Sequence, residues 1–246
     1  MEGNRCIIIA IDGPAGSGKT TLAKNLARKQ GITYLDTGAT YRALAYKALK
    51  DGVDPSDEVA SAALLKTTRI DFKPSLNPGE SQAVILDGED ITSHIRTNEV
   101  SRAASVISRH RGVRESLVDI QRDIADRLCD EMETLFPDNE ILGIAVEGRD
   151  IGTVVFPEAQ VKIYLEASLD ERAGRRIRDF EPGEDVLTVA RAEISARDSS
   201  DSEREIAPLK PADDAIHIDN TGWPKSKTLQ VAIDSIREKL GVSTAQ

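Results

Sequence analysis

The stretch Cys6-Ile7-Ile8-Ile9-Ala10-Ile11-Asp12-Gly13-Pro14-Ala15-Gly16-Ser17-Gly18-Lys19-Thr20 decides the fold. Its first six residues form an unbroken apolar run, the pattern of a parallel strand covered on both faces. Gly13 to Thr20 then fits G-x-x-x-x-G-K-[ST] at every fixed position. A predicted helix follows over Lys19–Gln30, with Leu22, Ala23, Leu26 and Ala27 on one side. Strand, glycine-rich loop and helix N-terminus make a phosphate cradle, in which successive N–H groups curl around the anion and the helix dipole adds to them. In such a cradle Lys19 reaches the β- and γ-phosphates and the Thr20 hydroxyl ligates Mg²⁺. The run Gly13-Pro14-Ala15-Gly16-Ser17-Gly18-Lys19-Thr20-Thr21 is therefore expected to bind the phosphates of a nucleoside triphosphate. A dinucleotide fingerprint is excluded, because Gly16-Ser17-Gly18 continues as Lys19-Thr20-Thr21 instead of x-x-Gly.

Working outward, Gly31 ends the helix and Thr33–Leu35 reads as a second strand. Ile144–Val146, Val161–Leu165 and Ala215–Ile218 are further buried-strand candidates, separated by helical patterns. Together they predict an α/β fold on a five-stranded parallel sheet. A long excursion separates the second strand from the third. It holds helical stretches at Ala43–Lys50 and Val59–Thr67, a β-like run at Ala83–Leu86, and a helical region Val100–Cys129 broken near Arg111-Gly112. Two arginine-bearing helices, 169–180 and 185–197, flank Glu181-Pro182-Gly183-Glu184, which reads as the tip of a mobile flap. A closing helix is expected from Trp223 to Leu240.

The chain has 246 residues, with 42 acids against 32 Lys and Arg for a formal charge of −10. That balance opposes long nucleic acids and anionic membranes, but not small phosphorylated ligands, which feel local groups. The longest apolar run, Cys6–Ile11, falls far short of the ~20 residues a bilayer needs. No signal-peptide pattern opens the sequence, and the two cysteines lack metal-ligand spacing. These readings predict a cytoplasmic protein with both thiols reduced. From Arg96 to Arg204 there are 15 arginines and one lysine, Lys162, so this stretch is rich in the cation suited to bidentate phosphate and carboxylate recognition.

A phosphate cradle alone does not choose among GTPase, motor, transporter and kinase. No N-K-x-D motif occurs, which counts against a GTPase, and no apolar strand ends in Asp-Glu. Glu147 ends the Ile144–Val146 run instead and is a candidate metal ligand.

Asp36-Thr37-Gly38-Ala39-Thr40-Tyr41-Arg42 resembles the D-[ST]-G-x-x-Y-R signature of bacterial cytidylate kinases. The same family is resembled by Asp87-Gly88-Glu89-Asp90, Ile95-Arg96-Thr97, the long block Glu147–Pro157, and Arg197-Asp198 with Asp201-Ser202, Arg204 and Ala207-Pro208-Leu209. The resemblance implies a P-loop kinase that transfers a phosphoryl group from ATP to CMP or dCMP. It implies a core at 1–42, 119–171 and 201–246, a nucleotide-monophosphate subdomain at 43–118 and a lid at 172–200. Carried over by motif, Arg42, Arg149 and Arg204 hold the CMP phosphate, and Tyr41 and Thr37 help to position it. Ser105, Arg114 and Asp150 read the cytosine ring, and Asp201 binds the sugar hydroxyls. Arg172, Arg175 and Arg176 match the lid's R-x-x-R-R and reach ATP. Catalysis would then centre on Lys19, Arg149 and Arg204 in a monomer. Residues 129–142 read as a longer connection than compact members of the family carry.

Elementary chemistry agrees with that substrate. Cytosine offers a donor at N4 and acceptors at N3 and O2, which suit Asp150 and Arg114; uracil would face each of them with the wrong partner. Mispairing buried charged groups costs at least ~1–3 kcal/mol. The acceptor phosphate, with a second pKa of about 6, needs no general base, so His94, His110 and His217 are expected to be structural. The competing readings are a P-loop kinase for UMP, AMP or a small alcohol, and a nucleotide-sensing module without turnover.

Overall fold

The computed structural model describes residues 6–73, 79–80, 82–135, 142–177 and 186–242. In chain order the elements are β1 (Cys6–Asp12), α1 (Lys19–Gln30), β2 (Thr33–Asp36), α2 (Gly38–Lys50), α3 (Glu58–Lys66), β3 (Ile70–Lys73), β4 (Ala83–Leu86) and β5 (Glu89–Asp90). There follow a 3₁₀ turn (His94–Arg96), α4 (Asn98–Ile107), α5 (Arg111–Leu135), β6 (Leu142–Glu147) and a π-helical turn (Ile151–Val155). The chain closes with β7 (Val161–Glu166), α6 (Leu169–Ile177), α7 (Val186–Ser202), β8 (Ile216–Asp219) and α8 (Lys225–Leu240).

Five strands form one sheet in the order β2-β6-β1-β7-β8. All its pairings are parallel, with Ile9 opposite Ala145 on one side and Val161 on the other. The apolar run in β1 explains why it is central. Ile9 and Ile11 join one core with Leu22, Leu26 and Ile233, from α1 and α8. Ala10 joins the other, with Leu35, Leu44, Leu117 and Ile124, where α2 and α5 cover the sheet. Alternate residues are thus buried on opposite faces. β3, β4 and β5 make a separate antiparallel sheet, with Ile70 opposite Leu86.

The five strands, the break between α4 and α5, and the Ala83–Leu86 strand stand where the residue patterns put them. α5 is longer than expected. Its buried stripe of Val113, Leu117, Ile124 and Leu128 continues to Met132, so residues 129–135 are helix and not part of a connection. Residues 136–141, with Phe136 and Pro137, lie outside the described residues, as does the Glu181–Glu184 flap tip. The reduced-thiol expectation is overturned: Cys6 and Cys129 are bonded, with Cα atoms 6.0 Å apart. Cys6 opens β1 on the side that α5 covers, and Cys129 packs against the same core. The fold, and not the spacing, brings together two residues 123 positions apart. No described helix is long and apolar enough to cross a membrane.

Candidate active site

The carboxyl ends of β1, β6 and β7 converge on one site, as they do in open α/β sheets. β1 runs into the loop Gly13–Thr20, whose entry is sterically fixed. Gly13 has φ +149°, and a Cβ there would stand 2.0 Å from the Leu165 carbonyl oxygen. Lys19 bends back over the loop, its Nζ 2.8 Å from the Pro14 carbonyl and 3.5 Å from Ser17 Oγ. Burial, and next the repulsion of Arg149, hold Lys19 well below its ordinary pKa. Pro14, Ala15, Gly16 and Ser17 form the turn itself, Gly18 stands at the N-cap of α1, and Thr20 and Thr21 lie in its first turn.

β6 delivers Glu147 beside the start of α1. Burial, and next the Asp36 carboxylate, raise it to about 7, and a hydrogen bond from the Thr20 hydroxyl opposes the rise. Its Oε1 is buried with no hydrogen-bond partner. A hydroxyl and an orphaned carboxylate oxygen, side by side at the head of a phosphate cradle, are hard oxygen donors of the kind Mg²⁺ takes.

The segment after Glu147 carries the next predicted residues. Arg149 donates through Nε to Asp201 Oδ2 at 2.8 Å, and Arg204 Nη2 lies 3.5 Å from Asp201 Oδ1. Arg204 Nη2 has no hydrogen-bond partner, and burial and then Arg114 lower its pKa. Asp201 itself, buried, is held low by Arg149 and then Arg204, which outweigh the effect of burial. Asp150 accepts from Arg114 Nη2 at 2.5 Å, while Arg114 Nη1 donates to the Ser108 carbonyl at 3.0 Å. This pair is buried, with side chains 3% and 7% exposed, and Arg114 Nε has no partner. Tyr41 lies against it, its ring centre 5.4 Å from the Arg114 guanidinium carbon. Burial pushes the Tyr41 phenol up to about 12, so it remains a donor at neutral pH. Ser105, on α4, is half-buried.

Other predicted residues are engaged elsewhere. The Thr37 hydroxyl donates to the Glu147 carbonyl at 2.8 Å, which leaves its lone pairs but spends its proton. Arg42 pairs with Asp36 at 2.6 Å. Arg172 grips Asp198 and donates to the carbonyls of Ala15 at 3.1 Å and Ala167 at 2.9 Å. Arg175 donates to the Ser17 carbonyl at 3.0 Å and to Asn220, and Arg176 pairs with Glu193. The first two thus brace the outside of the cradle.

One residue quoted in the motifs received no role and belongs with the cationic group. Arg197 is pulled down to about 10, first by burial and then by Arg149, with Asp201 opposing. Arg149 and Arg197 both lower Lys19, and Arg149 lowers Arg197 in turn. Cations collected at this density favour a polyanionic occupant. The signal available in sequence was its position four residues before Asp201, one turn away on the same helix face.

The family model for cytidylate kinase matches residues 9–238. A cytidylate kinase of Bacillus licheniformis is 44% identical over 242 residues, covering 98% of this chain and 96% of the relative. That of Bacillus pumilus is 47% identical over 215 residues, 87% of this chain and 88% of its own. The Bacillus subtilis cytidylate kinase is 41% identical over 94% of this chain and 96% of its own.

Proposed function

The chain belongs to the cytidylate kinase family, and from that premise we propose that it phosphorylates CMP and dCMP to CDP and dCDP at the expense of ATP. The observation that carries the reading is the buried Arg114–Asp150 pair at the same sheet end as Lys19. An acceptor-only carboxylate and a donor-only guanidinium match the cytosine edge. We assign Arg42, Arg149, Arg197 and Arg204 to the acceptor phosphate, Tyr41 to its orientation, Ser105 to the base and Asp201 to the sugar, with Thr37 holding the Glu147 carbonyl beside them. The P-loop run through Thr21 takes the ATP phosphates, with Arg172, Arg175 and Arg176 on the lid side. The bodies that close on the substrates are 43–118 and 172–200, against a core of 1–42, 119–171 and 201–246.

Thr20 and Glu147 are the residues that would hold Mg²⁺, which would neutralise the charge that develops during phosphoryl transfer. The chain's own groups do the rest. Lys19 fixes the donor phosphates and the arginines fix the acceptor, so two polyanions meet in line without mutual repulsion. The attacking phosphate oxygen is already mostly ionised near neutral pH, with a pKa of about 6, so no residue has to remove a proton. Small, freely diffusing substrates fit a cytoplasmic enzyme, which we further propose acts as a monomer.

A panel of CMP, dCMP, UMP and AMP with Mg·ATP tests this. CMP and dCMP should be turned over far faster than AMP, and Lys19→Met should fold but lose turnover. Faster phosphorylation of AMP, or full activity in Lys19→Met, would overturn the assignment.

A further inference from the structure

Asp12, the last residue of β1, is 4% exposed and stands immediately before Gly13 of the cradle. Its carboxylate spends one oxygen on each of two main-chain N–H groups. Ile151 N donates to Oδ1 at 2.8 Å and Gly152 N donates to Oδ2 at 2.8 Å. One residue earlier, the Ile11 carbonyl accepts from Gly148 N at 3.0 Å. The segment 148–152 is therefore hung from the end of β1 at three points. Arg149 and Asp150, the residues assigned above to the acceptor, project from between those points.

We infer that Asp12 is a positioning residue for phosphoryl transfer, tying the ATP cradle to the turn that holds CMP so that donor and acceptor phosphates meet at a fixed separation. This rests on the cytidylate kinase reading. A carboxylate is the side chain that suits the task, since two N–H donors need two acceptor oxygens on a short stem. Its burial carries a cost: desolvation raises Asp12 to about 6, and the two main-chain bonds only partly offset it. An apolar residue would fill the same space more cheaply but would leave both N–H groups unpaired. Gly152 lies against the same carboxylate. A Cβ there would meet Asp12 Oδ2 at 3.4 Å and the Lys162 stem at 3.2 Å.

Asp12→Asn keeps the shape but retains one acceptor and turns an N–H₂ toward the second N–H. It should lower kcat by about tenfold to a hundredfold, as misplacement of reacting groups does. Equilibrium binding of ATP alone and of CMP alone should stay within about twofold of wild type, because each half-site is intact. A bisubstrate analogue joining adenosine and cytidine through a polyphosphate should lose affinity by about the same factor as kcat, since it alone senses the separation. Asp12→Glu, which keeps both acceptor oxygens but carries them on a longer stem, should move kcat and analogue binding in the same direction, and it decides the matter if Asp12→Asn does not fold. Unchanged kcat and analogue affinity in a folded variant, or loss confined to ATP binding, would overturn the inference. A wild-type enzyme that turns over no CMP overturns both this and the reading beneath it, so the two failures are distinguishable.

Discussion

Asp150 has one strong partner, Arg114 at 2.5 Å, in a place almost closed to solvent. Asp150→Asn therefore changes recognition and leaves a buried guanidinium without its counter-charge. The CMP-over-UMP preference should fall by about tenfold, in line with ~1–3 kcal/mol for a mispaired buried group, and melting should show a loss as well. A substrate ratio unchanged in steady-state kinetics would mean that Asp150 does not read the base. Glu147 makes a contrasting case. A carboxyl whose folded pKa of about 7 lies above its unfolded 4.5 stabilises the fold fully below pH 4.5 and loses that contribution as pH rises through about 7. Glu147→Gln cannot ionise, so above about pH 8 it should be more stable than wild type by ~1–2 kcal/mol, a gap that closes toward about pH 5. Mg²⁺-dependent turnover should fall at the same time. Melting curves that differ equally at both pH values would remove burial as the cause.

At the scale of elements, the apolar runs and the glycine-rich loop were legible because short-range patterning determines them. Ile144–Val146 reads as strand, and the Gly13–Thr20 cradle as loop, without any knowledge of the rest of the chain. What needed the fold was pairing across distance. The π-helical turn Ile151–Val155 has no periodic signal of its own, and its first two N–H groups are held by a carboxylate some 139 and 140 residues earlier in the chain. Thr37 was read from its motif as a ligand to phosphate, yet its proton goes to the Glu147 carbonyl, a partner no local pattern announces. The Cys6–Cys129 bond is the same kind of feature, joining the start of β1 to α5 across 123 residues. A cross-link of that span restricts the unfolded chain by about 5 kcal/mol in the chain-entropy picture, and usually by less. Reduction should therefore lower Tm by roughly 5–15 °C at this size, while the folded enzyme keeps its CMP turnover at 25 °C. Identical melting with and without a dithiol reductant would show that the bond does not contribute.

Across the whole molecule, the described apolar residues form two large cores on the faces of the main sheet and a third, small one. The small core is Ala173, Ala190 and Ile194, with Leu169 and Ile177 against it, and it joins α6 only to α7. Those helices meet the cradle through polar groups instead: Arg172 on the Ala15 carbonyl, Asp198 accepting from Ala15 N at 3.1 Å, and Arg175 on the Ser17 carbonyl. A unit with few apolar ties to its neighbours opens at lower free energy than the cores do. It is also placed to respond to phosphates in the loop it touches. The net charge of −10 works in the same direction, since an acidic body gathers its cations at one sheet end and leaves the fit of two polyanions to local groups. Binding of ATP and CMP together should therefore slow amide exchange across α6 and α7 more than across β1 or β6, which are protected already. Either nucleotide alone should give a smaller effect, as expected of a lid that both phosphates are needed to close. Equal exchange in α6 and α7 with and without the pair of nucleotides would show that these helices form a fixed wall, and water would then have to be excluded by the 43–118 body alone.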